Sequence, residues 1–227
     1  MIAPGSTLAQ ARQALPLDQL ENRILLCHAL RLPRVALITQ SERVLSDEER
    51  TRIAALVRRR LDGEPIAYIV GEREFFGLPF KVTPAVLIPR PDTELIVELA
   101  LERLVAQRRV LDMGTGSGAI AVALAHTRPD ADVTALDVSE EALAVARANA
   151  AANGARVRFL RSDWYEALGA ERFDLIVSNP PYIVAGDRHL IEGDLRFEPI
   201  DALTDHADGL SDLRAIAAGA APHLDQG

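Results

Sequence analysis

The residues best suited to chemistry are an amide, two prolines and an aromatic in direct succession: Asn179, Pro180, Pro181 and Tyr182. They follow an apolar, β-prone run over 173–178, which predicts a buried strand of a parallel sheet. Because two prolines cannot continue a ladder, the strand must end in a stiff loop at the edge where open α/β sheets bind ligands. The side-chain carbonyl of Asn179 and the backbone carbonyl of Pro180 can accept both hydrogens of a planar NH2 group, on which Tyr182 can stack. The loop therefore predicts a site that orients an amide or amine towards an electrophile, whereas the structural alternative is a simple turn capped by the asparagine.

A glycine-rich turn upstream predicts a nucleoside cofactor. It lies between a strand over 109–113 and an Ala-rich helix over 119–128, and its residues are Gly114, Thr115, Gly116, Ser117 and Gly118. Nineteen residues beyond Gly118, the next strand ends in Asp137, where a carboxylate can accept from both ribose hydroxyls of an adenosine. The spacing of the glycines also fits dinucleotide cofactors, so this turn alone indicates a nucleoside-cofactor fold and not a reaction.

A third strand, predicted over 157–160, is followed by Asp163 and Trp164. An acid and an aromatic at the tip of this strand can hydrogen-bond an adenine amine and cover its ring. Trp164 is the only tryptophan, and its structural alternative is a half-buried surface aromatic. With these two residues, each of the four predicted strands ends in a group that can contact a cofactor or a substrate.

In this order the elements resemble a class I methyltransferase that uses S-adenosylmethionine. They are most similar to the PrmC/HemK family, which methylates the glutamine of the Gly-Gly-Gln loop in class-1 peptide chain release factors. The resemblance also rests on four further segments, at 63–68, 71–77, 87–94 and 196–199. It implies an α/β fold in which a Rossmann-like sheet follows a small N-terminal helical domain. It places the cofactor on 114–118, Asp137, Asp163, Trp164 and Asn179, and the glutamine amide on 179–182, with no metal.

The patterns and the resemblance together predict three parts of the chain. These are an N-terminal helical substrate-docking domain over 1–75, a β-hairpin linker region over 76–89 and the methyltransferase domain over 90–227. We expect 66–70 to form one arm of the hairpin, and Asp92 to cap a helix that runs to about Gln107. A class I sheet has seven strands, and the sequence accommodates four before the helix over 211–221. We therefore expect the C-terminal strands of the family to be missing from this sequence.

The N-terminal domain contains one clear helix start and one arginine cluster. Ser46 and Glu49 have the spacing of a capping box, so a helix should begin there. Arg58, Arg59 and Arg60 fall in its last turn, where cations complement the helix dipole. Two interpretations of the cluster remain open, a solvated helix end and a docking contact for a substrate protein.

Charge and composition indicate which kinds of molecule the protein can bind. Residues 1–75 hold 11 Lys and Arg against 10 Asp and Glu, whereas 76–227 hold 14 against 23, for a net charge of −8. Such an acidic catalytic half disfavours a nucleic-acid backbone but suits a protein substrate and a cationic methyl donor. The one cysteine, Cys27, offers neither a disulfide nor a zinc spacing, and neither a signal pattern nor an apolar run of membrane-spanning length is present. We expect a cytoplasmic monomer.

Three other functions fit parts of the pattern. An adenine-specific DNA or RNA methyltransferase would use the same loop, since adenine also presents an NH2 group on a planar ring. A nicotinamide dehydrogenase fits the glycine turn but leaves 179–182 without a role. A non-catalytic fragment that binds release factors would follow if the C-terminal strands are truly lacking.

Overall fold

A computed structural model describes residues 2–104 and 108–225 of the chain. The chain divides into two compact units, the first ending at Val70 and the second beginning at Gly71. The sequence predicted a boundary near residue 75. The division falls earlier because the strand over Glu72–Phe75 pairs with Leu78–Lys81 and belongs with its partner to the second unit.

The N-terminal unit is helical. Its helices are α1 (Leu8–Ala14), α2 (Gln19–Leu30), α3 (Ala36–Thr39), α4 (Asp47–Leu61) and α5 (Ile66–Val70). Leu25, Leu26 and Ile53 are fully buried at the centre of its core. The predicted capping box is confirmed: the Ser46 hydroxyl accepts from the Glu49 amide, and the Glu49 carboxylate accepts from the Ser46 amide.

The expectation of a hairpin arm at 66–70 is wrong, since this segment forms α5. A short apolar run has no periodicity that separates a buried strand from a buried helix turn. Here Tyr68 and Ile69 donate their amides to the Pro65 carbonyl, and Pro65 sits where a missing N–H costs a helix nothing.

The second unit contains a two-stranded antiparallel hairpin and a four-stranded parallel sheet. The hairpin strands are β1 (Glu72–Phe75) and β2 (Leu78–Lys81); the sheet strands are β3 (Arg109–Met113), β4 (Asp132–Asp137), β5 (Val157–Arg161) and β6 (Leu175–Ser178). The spatial order in the sheet is β5-β4-β3-β6. All its pairs are parallel, so the carboxyl ends of the four strands meet at one edge. The α/β fold class and the four predicted strands are confirmed.

In the part of the second unit that the structure describes, four α-helices accompany these strands: α6 (Glu94–Arg103), α7 (Ala119–Thr127), α8 (Glu140–Ala152) and α9 (Ser211–His223). The first seven residues of α7 are buried, so this Ala-rich helix is central to the core. The expectation that Asp92 caps α6 is wrong, because a 3₁₀ turn over Pro91–Thr93 leads directly into the helix without a side-chain cap. The predicted end near Gln107 lies outside the described residues. Within the described ranges no helix combines the length and apolar character needed to cross a membrane.

Candidate functional site

A cavity of about 510 Å³ lies at the carboxyl edge of the parallel sheet. Nine of the predicted site residues line it: Gly114, Thr115, Gly116, Ser117, Asp137, Asp163, Trp164, Asn179 and Pro181. Gly118, Pro180 and Tyr182 are not among its lining residues; Gly118 and Pro180 are buried, and the Tyr182 side chain points out with 61% of its surface exposed. The fold thus brings the glycine turn and the Asn-Pro-Pro segment to one concave site, of a size typical for a small ligand.

The glycine turn owes its shape to left-handed backbone at alternate positions. Gly114 and Gly116 have φ values of +68° and +55°, which residues with a Cβ rarely adopt. Gly118 has a φ of +83°, and the tight packing around it also favours glycine, because a Cβ there would lie 3.1 Å from the Cβ of Ala146 in α8. Gly118 therefore sets the close approach of α7 and α8, whereas Gly114 and Gly116 present bare backbone to the cavity.

Asp112, for which the sequence predicted no role, supports the turn through hydrogen bonds. Its side chain is fully buried at the end of β3, and Oδ2 accepts from the Thr115 hydroxyl at 2.7 Å and from the Ala121 amide at 3.2 Å. Among the described residues Oδ1 has no hydrogen-bond partner. Burial raises the pKa of Asp112 to about 7, against the opposing effect of these two hydrogen bonds. A carboxylate among the apolar residues at the end of the strand, two positions before Gly114, was the signal that could have identified it.

Asp137 lines the cavity and is also part of the support for the turn. Its Oδ2 accepts from the Gly116 amide at 2.8 Å, and its Oδ1 accepts from the Ser139 amide at 2.9 Å. Burial raises the pKa of this carboxyl, and the backbone hydrogen bonds oppose the shift. Each carboxylate oxygen has a second lone pair, so Asp137 can hold the turn and still accept from a ligand hydroxyl.

Trp164 is held in a strained conformation beside the glycine turn. Its φ of +41° is unusual for a bulky residue, and such backbone strain is frequent at functional sites. Two indole carbons lie 3.8 and 3.9 Å from the point where a Gly114 Cβ would sit. Burial raises the pKa of Asp212 at the start of α9, and the Trp164 side chain opposes the rise. The indole therefore lies beside Gly114 and forms part of the cavity wall.

The Asn179 loop is positioned by backbone contacts with a segment about 20 residues downstream. The Ile183 amide donates to the Leu203 carbonyl and the Ala185 amide to the Ala207 carbonyl, each at 2.9 Å. Gly209, at φ +77°, faces the loop so closely that a Cβ would lie 2.5 Å from the Tyr182 carbonyl oxygen. The Asn-Pro-Pro segment therefore has its position fixed by the backbone of 203–209.

A buried glutamate fixes the segment that covers the other side of the cavity. The side chain of Glu198 is fully buried; it accepts from the Ile88 amide at 2.9 Å and forms an ion pair with Arg90. Residues Pro89 and Arg90 of that segment, and Pro199 next to the glutamate, line the cavity. This contact joins the 87–94 and 196–199 segments, for which the sequence alone indicated no contact with each other.

The electrostatics of the cavity suit a cationic ligand. Its lining in the described part of the chain carries one basic residue, Arg90, which Glu198 neutralises. The acidic lining residues are Asp137, Glu141, Asp163, Asp201 and Asp212. S-adenosylmethionine fits these residues, because it combines a sulfonium and an amine with ribose hydroxyls, and because the bare backbone of Gly114 and Gly116 leaves room for its close approach.

Comparison with known proteins gives two family matches and many close relatives. The model of the PrmC N-terminal domain matches residues 6–71, and that of the methyltransferase small domain matches residues 91–192. A release factor glutamine methyltransferase of Burkholderia pseudomallei is 56% identical over 95% of this chain and 79% of its own length. One of Neisseria gonorrhoeae is 53% identical over 93% of this chain and 78% of its own length.

Among solved structures, a methyltransferase from Pyrococcus furiosus is 26% identical and aligns with a TM-score of 0.49 over 75% of this chain and 73% of its own. The relatives in sequence are much closer than this structural match. The family assignment therefore rests on these relatives in sequence.

Proposed function

We propose that this chain, which belongs to the family of release factor glutamine methyltransferases, methylates the glutamine of the Gly-Gly-Gln motif in class-1 peptide chain release factors. As a member of that family it is a methyltransferase, and S-adenosylmethionine is its cofactor. One observation carries the finer proposal: Asn179 and Pro181 line the same cavity as the glycine turn. A substrate amide held at this loop would therefore lie next to the cofactor.

The residues assigned to the cofactor are those with bare backbone, carboxylates or an aromatic face at the cavity. Gly114 to Ser117 would lie against it, Asp137 and Asp163 would accept from its donors, and Trp164 would cover a planar part. When bound, S-adenosylmethionine supplies a methyl group on a positively charged sulfur, an electrophile that releases a neutral thioether. The carboxylates around the cavity favour that cation over a neutral analogue.

The proposed chemistry of the loop is positioning. An amide nitrogen is a weak nucleophile, because its lone pair is delocalised into the carbonyl. The Asn179 side-chain oxygen and the Pro180 carbonyl would accept from the NH2 group and favour the positive charge that develops on nitrogen as it attacks. Pro180 does not line the cavity, so its part is assigned from the motif alone. The product nitrogen would lose its extra proton to water, and we name no catalytic base.

The protein amide is favoured over the adenine ring as the substrate. The family to which the chain belongs takes its name from a glutamine acceptor, and five carboxylates line the cavity. A polyanionic nucleic acid would meet repulsion there. The same family assignment disfavours the nicotinamide dehydrogenase that the spacing of the glycines alone would also fit.

The test is methyl transfer to a purified class-1 release factor, followed by peptide mapping. We expect the mass of one methyl group on the glutamine of the Gly-Gly-Gln motif. Asn179→Ala should lower turnover by roughly 10²–10³-fold, the usual loss when one transition-state hydrogen-bond partner is removed. Asn179 is also assigned to the cofactor, but the glycine turn, Asp137 and Trp164 remain in this variant. Its affinity for S-adenosylmethionine, measured by calorimetry, should therefore stay largely intact. Methylation of another residue, or of adenine in an oligonucleotide control, would contradict the proposal.

A further inference from the structure

A second cavity, of about 560 Å³, lies on the N-terminal unit, and its lining carries positive charge. Three of its lining residues are exposed arginines: Arg12 of α1, Arg23 of α2 and Arg34, which precedes α3. Its described lining contains no carboxylate. The cavity thus concentrates positive charge on a unit whose sequence is almost electrically balanced.

The other arginines of this unit show that the charge is segregated. Six of them form ion pairs: Arg43, Arg50, Arg52, Arg58, Arg59 and Arg60. Arg12, Arg23, Arg31 and Arg34 make neither an ion pair nor a side-chain hydrogen bond within residues 2–104 and 108–225. All of these four except Arg31 line the cavity, so the unpaired guanidinium groups are gathered at one place.

The arginine cluster at the end of α4 differs from these unpaired arginines. Arg58 pairs with Asp62, Arg59 with Glu64 and Arg60 with Glu21. Each of these three cations therefore already has a carboxylate partner within the unit. The unpaired charge lies around the second cavity instead.

The same cavity exposes apolar side chains beside the arginines. Leu20, Val35 and Ile38 line it with 52%, 62% and 69% of their surfaces exposed. Large aliphatic side chains gathered in this way, with polar groups around them, indicate a protein interaction surface. A phosphate backbone would use the arginines but gain nothing from the aliphatic groups, whereas an acidic peptide with an apolar residue would use both.

We propose that this cavity docks an acidic, apolar-anchored segment of the protein substrate. The inference rests on the proposed function, since the substrate in question is the release factor. Carboxylates of that segment would pair with Arg12, Arg23 and Arg34, and an apolar side chain would cover Ile38 and Val35. Such contacts supply affinity for the whole substrate without touching the reacting amide.

The experiment compares steady-state methylation of a class-1 release factor by the full chain and by a triple variant, Arg12→Gln, Arg23→Gln and Arg34→Gln. We expect the KM for the release factor to rise roughly tenfold at low ionic strength, with kcat and the cofactor affinity unchanged. Ile38→Asn should raise the KM as well, because it removes the apolar contact. The matched control is Arg31→Gln, an exposed arginine of the same unit that does not line the cavity and forms no ion pair in the described chain.

An unchanged KM in the triple variant, or an equal rise with Arg31→Gln, would overturn the docking surface. So would a loss of affinity for a single-stranded RNA oligonucleotide at unchanged KM, which would assign the arginines to a nucleic acid. Failure of the unaltered chain to methylate a release factor would instead overturn the proposed function. In that case, calorimetric binding of the factor to the unaltered chain and to the triple variant still decides whether the surface docks it.

Discussion

The two loops that meet at the catalytic cavity are held in place by different kinds of contact. The glycine turn rests on side chains: Asp112 and Asp137 accept from its hydroxyl and amide groups, and Asn149 of α8 donates to the Ser117 carbonyl at 2.8 Å. The Asn179 loop rests on backbone, through hydrogen bonds to 203–207 and the close approach of Gly209. The first support relies mainly on polar and charged side chains, whereas the second touches the loop through backbone hydrogen bonds and close packing.

This difference suits the two ligands expected at the cavity. A charged cofactor is recognised by groups whose charge state and direction matter, so a support built from carboxylates also sets the field in which the cofactor binds. A neutral amide has to be held at a defined distance and angle, which the backbone contacts of the loop can set. The frame that makes these contacts is in turn held by Asp205, whose carboxylate accepts from the Ala207 and Gly209 amides. Substitutions in the two supports should therefore affect different steps, turnover for the backbone frame and cofactor affinity for the carboxylates.

Among substitutions in the two supports, the largest effect is expected from Gly209→Ala. The new Cβ would lie 2.5 Å from the Tyr182 carbonyl oxygen, so the loop that carries Asn179 has to move. A displacement of about 1 Å can cost roughly 10²-fold in rate, and we expect a fall in kcat of that order with little change in cofactor affinity. Steady-state kinetics and calorimetry of the same preparation would measure the two.

The control for Gly209→Ala is Gly77→Ala in the β1–β2 turn. Gly77 has a φ of +74°, close to the +77° of Gly209, but a Cβ there has no neighbour within 4 Å. Both variants therefore place a Cβ at a similar left-handed φ, and the collision with the Tyr182 carbonyl occurs in Gly209→Ala alone. Equal losses of kcat in the two would mean that strain, and not the position of the loop, explains the effect.

A smaller effect, on binding, is expected from Asp137→Ala. The change removes an acceptor for the Gly116 amide and a carboxylate at the cavity. Hydrogen bonds to charged groups contribute about 1.5–3 kcal/mol each, so the affinity for S-adenosylmethionine should fall roughly 10- to 100-fold. Asp132→Ala, at the exposed opposite end of β4, is the control for loss of charge. If calorimetry gave both variants the affinity of the unaltered chain, Asp137 would have no part in holding the cofactor.

Local patterns in the sequence were enough to predict the strand ends and the residues that follow them. The predicted span of β3 agrees with the structure, those of β5 and α7 agree to within one residue, and β4 ends at Asp137 as predicted, because apolar runs and glycines mark these limits. The supports were beyond such reasoning. Asn149, Glu198 and Gly209 act on partners 32 to 110 residues away in the chain or by close packing, and no local pattern encodes those contacts. Short segments with ambiguous periodicity, such as α5, were predicted wrongly for the related reason that packing decides their form.

The subtlest test of the comparison is the pH dependence of stability in Asp112→Asn. Burial raises the pKa of Asp112 from 3.8 to about 7, so between these values the folded chain binds a proton that the unfolded chain lacks. The contribution of Asp112 to the free energy of unfolding therefore falls as pH rises through this window, by at most about 1.4 kcal/mol per pH unit, and levels off above about pH 7. The amide side chain introduced by the substitution does not titrate, and it keeps an oxygen that can accept from Thr115 and Ala121.

The stability of the variant relative to the unaltered chain should consequently increase from about pH 5 to about pH 7 and then remain constant. Urea denaturation at several pH values measures it, and taking the difference between the two proteins removes the contributions of the other carboxylates. Gly209→Ala provides the contrast, because it introduces no titrating group and its destabilisation should be independent of pH over the same range. Parallel curves for Asp112→Asn and the unaltered chain would mean that Asp112 ionises normally. The glycine turn would then rest on a permanent charge, and the distinction between a titratable support and a steric one would fail.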